Sequence, residues 1–145
     1  MMALSRTLLA LACIAALGAC SSMENMMHGS GSQHVSLSGA NEVPPVQSAA
    51  SGSGTVTVNP DHTVSVDLTV TGMNATAAHI HEAAAGKNGK VIVPLTKEGD
   101  NHFVSPPGAR LTEEQYEAYK HGDLYVNAHS KDHPGGEIRA QLAGG

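Results

Sequence analysis

Residues 55–71 read TVTVNPDHTVSVDLTVT, and apolar residues alternate with polar ones on both sides of a central turn. Successive side chains of a strand point to opposite faces, so Val64, Val66, Leu68 and Val70 share one face of the second half. The segment 59–62 supplies Asn, Pro and Asp, which are typical of turns. This stretch predicts an antiparallel hairpin with one buried face and one solvated face.

The same period-two pattern continues through the rest of the chain. A first strand contains Val35 and Leu37, and later strands are predicted over 77–82, 90–95, 102–104, 123–130 and 137–142, each with one solvated face. One helix is predicted from the capping-box pattern Thr112–Gln115, and it ends near Gly122. The chain is therefore predicted to be all-β, an antiparallel Greek-key-type β-sandwich with one short helix between late strands.

Residues 1–19 have the pattern of a targeting segment. Arg6 precedes an apolar run over 8–17, and the run leads directly into the sequence LGAC at 17–20. This arrangement resembles a bacterial lipoprotein signal peptide, which implies cleavage before Cys20 and a lipid anchor on its thiol. Ser21 then favours a position in the bacterial cell envelope at the outer membrane, facing the periplasm, over the inner membrane. The alternative is an ordinary cleaved secretory signal.

Residues 20–33 contain few branched apolar side chains, which predicts a flexible tether between the membrane and a domain over 34–145. Within the tether, Met23, Met26, Met27 and His28 form a candidate soft-metal cluster for Cu(I). The alternative is a spacer whose methionines have no role in binding.

Charge and cysteine content limit the function classes. The net charge is −5, which does not favour nucleic acid as a partner. The two cysteines of the chain are Cys13, within the predicted signal, and Cys20, the predicted lipid site, so the domain has no thiol for a disulfide or a metal. Its length is sufficient for one domain, and a monomer is the default expectation.

Histidines recur on the polar faces of two predicted strands. In AHIHE, 78–82, the residues His79 and His81 lie two positions apart, and in LYVNAH, 124–129, His129 lies on the equivalent face. Imidazole favours copper, zinc, iron or nickel, so these three residues predict a metal site, with copper the first choice. His133, four residues after His129, is the expected fourth ligand, and Asp132, Glu82 or water are the alternatives.

A metal-free interpretation of these histidines also remains open. They would then form a hydrogen-bonded polar network that fixes the loops, with Asn127, Glu82 and Tyr125 as partners. If the histidines bind a metal ion, release is expected as the pH falls below the ordinary histidine pKa of about 6.5, since only neutral imidazole is a ligand.

Four motifs occur in order along the chain: LSGANEVPPV at 37–46, AHIH at 78–81, GDLYVNAH at 122–129 and HPGGEIRAQL at 133–142. Together they resemble the CHRD domain family, named after chordin and common in bacterial exported proteins, over residues 34–142. The resemblance implies a second possibility for function, a metal-free protein-interaction or structural module of the cell envelope with an unknown protein partner.

A weaker resemblance is to the copper/zinc superoxide dismutase sandwich, in which His79, His81 and His129 would match the copper ligands. The spaced histidines and aspartate of its zinc loop are missing, because only His102 lies between His81 and Pro107. Dismutase activity is therefore the least favoured possibility, and no catalytic residues are predicted. The sequence favours a lipid-anchored protein that binds copper in storage, delivery or tolerance.

Overall fold

The computed structural model describes residues 31–145. The predicted signal peptide, Cys20, the methionines of the tether and His28 lie outside the described residues. The strands are β1 (Gly31–Ser38), β2 (Ser51–Val58), β3 (Val64–Thr71), β4 (Ala75–Glu82), β5 (Lys90–Pro94), β6 (Thr96–Lys97), β7 (His102–Val104), β8 (Leu124–Ser130) and β9 (Ile138–Gln141), with one 3-10 turn (Gly39–Asn41) and one helix, α1 (Glu113–Lys120).

All described strands belong to one antiparallel sheet in the order β5-β4-β8-β9-β1-β2-β3-β7-β6. The sheet nearly closes on itself, because the Leu95 N–H donates to the Ala78 carbonyl at 3.0 Å and Lys97 Nζ donates to the Ala75 carbonyl at 2.8 Å. The last strand, β9, lies between β8 and β1. The predicted all-β antiparallel fold with one short helix between late strands is confirmed.

The predicted hairpin is formed by β2 and β3. Val58 lies opposite Val64 and Val56 lies opposite Val66, and all four side chains are buried. The turn between the strands contains His62, whose φ is 70°. This hairpin supplies one wall of an aliphatic core.

The core contains few aromatic rings, and Phe103 is the only phenylalanine of the chain. It is fully buried on β7 opposite Leu68. Most of the burial comes from Val, Leu, Ile and Ala, and burial of apolar area contributes roughly 25 cal/mol per Å². The fully buried side chains include Leu68, Ile80, Leu124, Ile138, Leu142, Val56, Val58, Val70 and Val126.

The helix α1 forms as predicted. Thr112 is the N-cap, and it exchanges hydrogen bonds with Gln115 in a capping box. Gly122 follows the helix with a φ of 78°, a conformation that glycine adopts without steric cost. Residues 31–145 contain no helix with the length and apolar character that crossing a bilayer requires.

The prediction that every strand has one solvated face is wrong for β8 and β9. All residues of β8 are buried, including Tyr125 and Asn127, which were expected to face solvent. Loops cover this second face, and Asn88 joins two of them by donating to the Val43 carbonyl at 2.6 Å. The polar side of β8 is therefore an interior site.

The first strand, β1, begins at Gly31, three residues before the predicted start of the domain at residue 34. The carbonyl of Gly31 accepts a hydrogen bond from the Tyr119 hydroxyl at 3.2 Å. Gln33 exchanges two hydrogen bonds with the Ala143 backbone, at 3.1 and 2.7 Å. Residues 31–33 thus belong to the sheet.

Candidate metal centre

The pairing of β4 with β8 brings the three strand histidines together. His79 lies opposite Asn127, His81 lies opposite Tyr125, and Ala77 lies opposite His129. His129 is therefore diagonal to His79 on the same face, where side chains on adjacent strands are within reach. His79, His81 and His129 each present one ring nitrogen, and these nitrogens all lie within 4.8 Å of one another. We call this group the three-histidine cluster.

Two backbone carbonyls orient two of the three rings. His81 Nδ1 lies 3.0 Å from the Gly89 carbonyl oxygen, and His129 Nδ1 lies 3.0 Å from the Pro134 carbonyl oxygen. Because a carbonyl only accepts, each Nδ1 carries the proton, and each Nε2 has a free lone pair. Metal-binding histidines are usually oriented in this way, with the second nitrogen donating to a carbonyl or carboxylate.

The two free Nε2 atoms have different partners. His129 Nε2 lies 3.0 Å from His79 Nδ1, which donates its proton to it in the metal-free chain. His81 Nε2 is buried and has no hydrogen-bond partner. A buried nitrogen without a partner is costly, and a bound ion would satisfy it.

The geometry fits a transition metal. His79 Nδ1 and His129 Nε2 lie 3.0 Å apart. If each lies about 2.0 Å from one ion, the nitrogen–metal–nitrogen angle is roughly 97°, which is between the square-planar and the tetrahedral angle. His79 would then bind through Nδ1, and its proton would move from Nδ1 to Nε2 through solvent, which leaves the ring neutral. The donor set is three imidazole nitrogens without a thiolate or a carboxylate.

Burial keeps the three-histidine cluster neutral. Burial, together with the charges of His129 and His81, lowers the pKa of His79 to about 4. Burial is also the largest effect on His81 and His129, and it lowers the pKa of each although the hydrogen bonds to Gly89 and Pro134 act in the opposite direction. Neutral imidazole is the form that binds metal.

His133 is not a member of the three-histidine cluster. Its backbone N–H donates to Ser130 Oγ at 3.2 Å, and its carbonyl accepts from the Ser130 N–H at 3.4 Å, so the chain turns tightly after β8. The charge of His133 also acts on Glu137. Burial raises the pKa of this carboxyl, but hydrogen bonds from Ser130 and Ser48 and the charge of His133 together bring the pKa below its ordinary value. The turn brings the Pro134 carbonyl to His129 Nδ1, and the ring nitrogens that lie within 4.8 Å of one another do not include one from His133.

Glu42 and Asn127 form a second buried polar layer beside the three-histidine cluster. Asn127 Nδ2 donates to Glu42 Oε1 at 3.4 Å, and Asn127 Oδ1 has no partner. Burial raises the pKa of Glu42 against the opposing effects of Asn127 and Arg139. Gly136, with a φ of 128°, leaves the space that Glu42 occupies, because a Cβ there would lie 2.5 Å from Glu42 Oε1.

One arginine, Arg139, lies on a residue that contacts the three-histidine cluster. The guanidinium carbon of Arg139 lies 3.4 Å from the centre of the Tyr125 ring. On its other side, Tyr125 stacks on the His81 ring, with centroids 4.7 Å apart and planes 3° from parallel. Alternation along β8 and β9 placed both residues on polar faces, but it carried no information on which loops would bury them.

Comparison with known proteins identifies the family. The family model named CHRD domain matches residues 34–142, which include every strand from β2 to β9 and most of β1. The chain therefore belongs to the CHRD domain family. Comparisons with curated proteins and with solved structures found no match.

Proposed function

We propose that this CHRD-domain protein binds one transition-metal ion, preferentially copper, through His79 Nδ1, His81 Nε2 and His129 Nε2. The observation that carries the proposal is the convergence of one ring nitrogen from each of the three histidines within 4.8 Å, together with the burial of His81 Nε2 without a hydrogen-bond partner. A bound ion would satisfy that atom and also use the lone pair that the Pro134 carbonyl fixes on His129.

The donor set supports copper. Imidazole nitrogens bind copper, zinc and iron, whereas calcium and magnesium require oxygen ligands. Among divalent first-row ions copper binds most tightly to a given nitrogen site, which makes it the first choice over zinc. His79 is only partly buried, so an ion can reach the three-histidine cluster from solvent without unfolding of the sheet.

The proposed setting is the bacterial cell envelope. The signal-like residues 1–19 and Cys20 support a lipid-anchored protein at the outer membrane, facing the periplasm. Copper storage, delivery or tolerance is the corresponding role. The substitution Cys20→Ser is expected to release the protein from the membrane fraction, and a variant that remains there would contradict the lipid anchor.

A metal-free interaction or structural module is the second candidate. The 3.0 Å contact between His79 Nδ1 and His129 Nε2 is the bond that a purely structural network would use. That network does not explain His81 Nε2, which has no partner. A dismutase-like enzyme is less well supported, because residues 31–145 contain one metal-ligand group rather than two.

Titration of the whole protein with Cu(II), and anaerobically with Cu(I), tests the proposal. We expect binding of one ion, with nitrogen hyperfine structure in the electron paramagnetic resonance spectrum of the Cu(II) form. The variants His79→Ala and His129→Ala should each lose this binding. His133→Ala is the matched control and should retain it, and a protein that binds neither ion would favour the metal-free module.

A further inference from the structure

We propose that Arg139, acting across the ring of Tyr125, makes the three-histidine cluster favour a monovalent ion over a divalent one. This inference rests on the proposed function, since it assigns a charge preference to the same site. It names Arg139 as a specificity-determining residue that does not touch the ion.

The first support is the geometry of the stack. Arg139, Tyr125 and His81 lie on three neighbouring strands, β9, β8 and β4. Tyr125 is 2% exposed and Arg139 is 1% exposed, so water is excluded from the column that they form with the His81 ring. In such surroundings the effective dielectric constant is well below that of water, and a charge acts over a longer distance.

The second support is that neutral groups hold the guanidinium. Its hydrogen bonds go to Asn88 Oδ1 at 3.2 Å, to the Lys87 carbonyl at 2.9 Å and to Gln141 Oε1 at 3.1 Å. Among residues 31–145, no carboxylate oxygen forms an ion pair with Arg139 within 4.0 Å. A buried guanidinium is normally paired with an acid, and within the described part of the chain this one has no carboxylate in direct contact.

The third support is how the buried carboxylate of Glu42 is held. Its Oε1 accepts a hydrogen bond from Asn127 Nδ2 at 3.4 Å, and it forms no ion pair with Arg139 within 4.0 Å. The guanidinium of Arg139 is therefore not in direct contact with this carboxylate.

A positive charge near the site discriminates between ions by their charge. With three neutral imidazoles, a Cu(I) centre has a charge of one and a Cu(II) or Zn(II) centre has a charge of two. At a separation of roughly 10 Å and an effective dielectric constant of about 20, the extra unit charge weakens binding roughly tenfold. Arg139 thus lowers the affinity of the site for Cu(II) and Zn(II) more than its affinity for Cu(I).

The substitution Asn88→Asp tests this without removing Arg139. Asn88 is exposed, and its Oδ1 already accepts from Arg139 Nη1, so the change places a carboxylate on the guanidinium. Lys87→Gln is the matched control, because it changes the net charge equally at the neighbouring position while the Lys87 carbonyl remains on Arg139.

The measurement is the ratio of the Cu(I) affinity to the Zn(II) affinity, each obtained by competition with a chromophoric chelator, the former without oxygen. We expect Asn88→Asp to lower this ratio roughly three- to tenfold, and Lys87→Gln to leave it unchanged. Arg139→Gln, checked for folding by circular dichroism, should lower it similarly, and Arg139→Lys should preserve it.

The failures of the two proposals are distinguishable. An unchanged ratio in Asn88→Asp and in folded Arg139→Gln overturns the role of Arg139 and leaves the metal site intact. An equal decrease in Lys87→Gln also overturns it, because net charge alone would then explain the effect. A wild-type protein that binds neither Cu(I) nor Zn(II) overturns both proposals.

Discussion

The substitution His79→Gln is expected to change how the stability of the metal-free protein depends on pH. In the unfolded chain a histidine binds a proton below about pH 6.5, whereas burial lowers the pKa of His79 in the folded protein to about 4. Between these values the unfolded state binds more protons, so the free energy of unfolding falls as the pH falls. Above pH 6.5 this effect is absent.

The magnitude follows from the same pKa. A pKa that falls from 6.5 to about 4 corresponds to about 3 kcal/mol. His79 is only partly buried and water screens its charge, so we expect roughly 1 to 2 kcal/mol in practice. Near pH 7 the variant should instead be less stable by about 1 kcal/mol, because it loses the hydrogen bond to His129.

Urea denaturation in the presence of a chelator, at pH values of about 7 and about 4.5, measures both effects. The stability curves of wild type and variant should cross as the pH falls. Taking the difference between the two proteins removes the contribution of Glu42, whose raised pKa acts in the opposite direction. His34→Gln, at an exposed position of β1, is the control, and a His79→Gln difference that does not vary with pH would refute the reasoning.

Three other outcomes are expected. Gly136→Ala should destabilise the fold by about 2 kcal/mol or more, because Gly136 has a φ of 128° and a Cβ there would clash with Glu42. Gly135→Ala is the control: a Cβ at that position has nothing within 4 Å, so the same denaturation assay should show little change. Thr112→Ala should lower the free energy of unfolding by about 1 kcal/mol through loss of the N-cap, and Thr112→Ser should restore it. The release of metal expected from the sequence below the ordinary histidine pKa of about 6.5 should occur at a lower pH, since burial lowers the pKa of each ligand; complete release on dialysis at about pH 6.5 would contradict this expectation.

Local patterns were sufficient to predict most of the fold. Alternation from Val64 to Val70 depends only on the strand period, and the capping box at Thr112 depends only on residues within one helical turn. The grouping of His79, His81 and His129 was also predictable. Alternation along each strand places its histidines on one face, and the two strands are neighbours in the sheet.

The parts that the sequence did not predict depend on distant segments. Burial of Tyr125 and Asn127 requires loops from elsewhere in the chain, and alternation along β8 is the same whether those loops are present or not. The position of His133 depends on the hydrogen bonds of one turn. The burial of Arg139 could not be predicted from its residue type, because a charged side chain is rarely fully buried.

The position of β9 between β8 and β1 has a consequence for the order in which the protein folds. Asn41 donates to the Arg139 carbonyl across 98 residues, and Ser38 pairs with Arg139 in the sheet. Contacts so distant along the chain close slowly, since the entropy of the intervening loop must be lost first. A chain that lacks residues 138–141 leaves β1 and β8 without their shared neighbour, so the native sheet is completed only once β9 is in place.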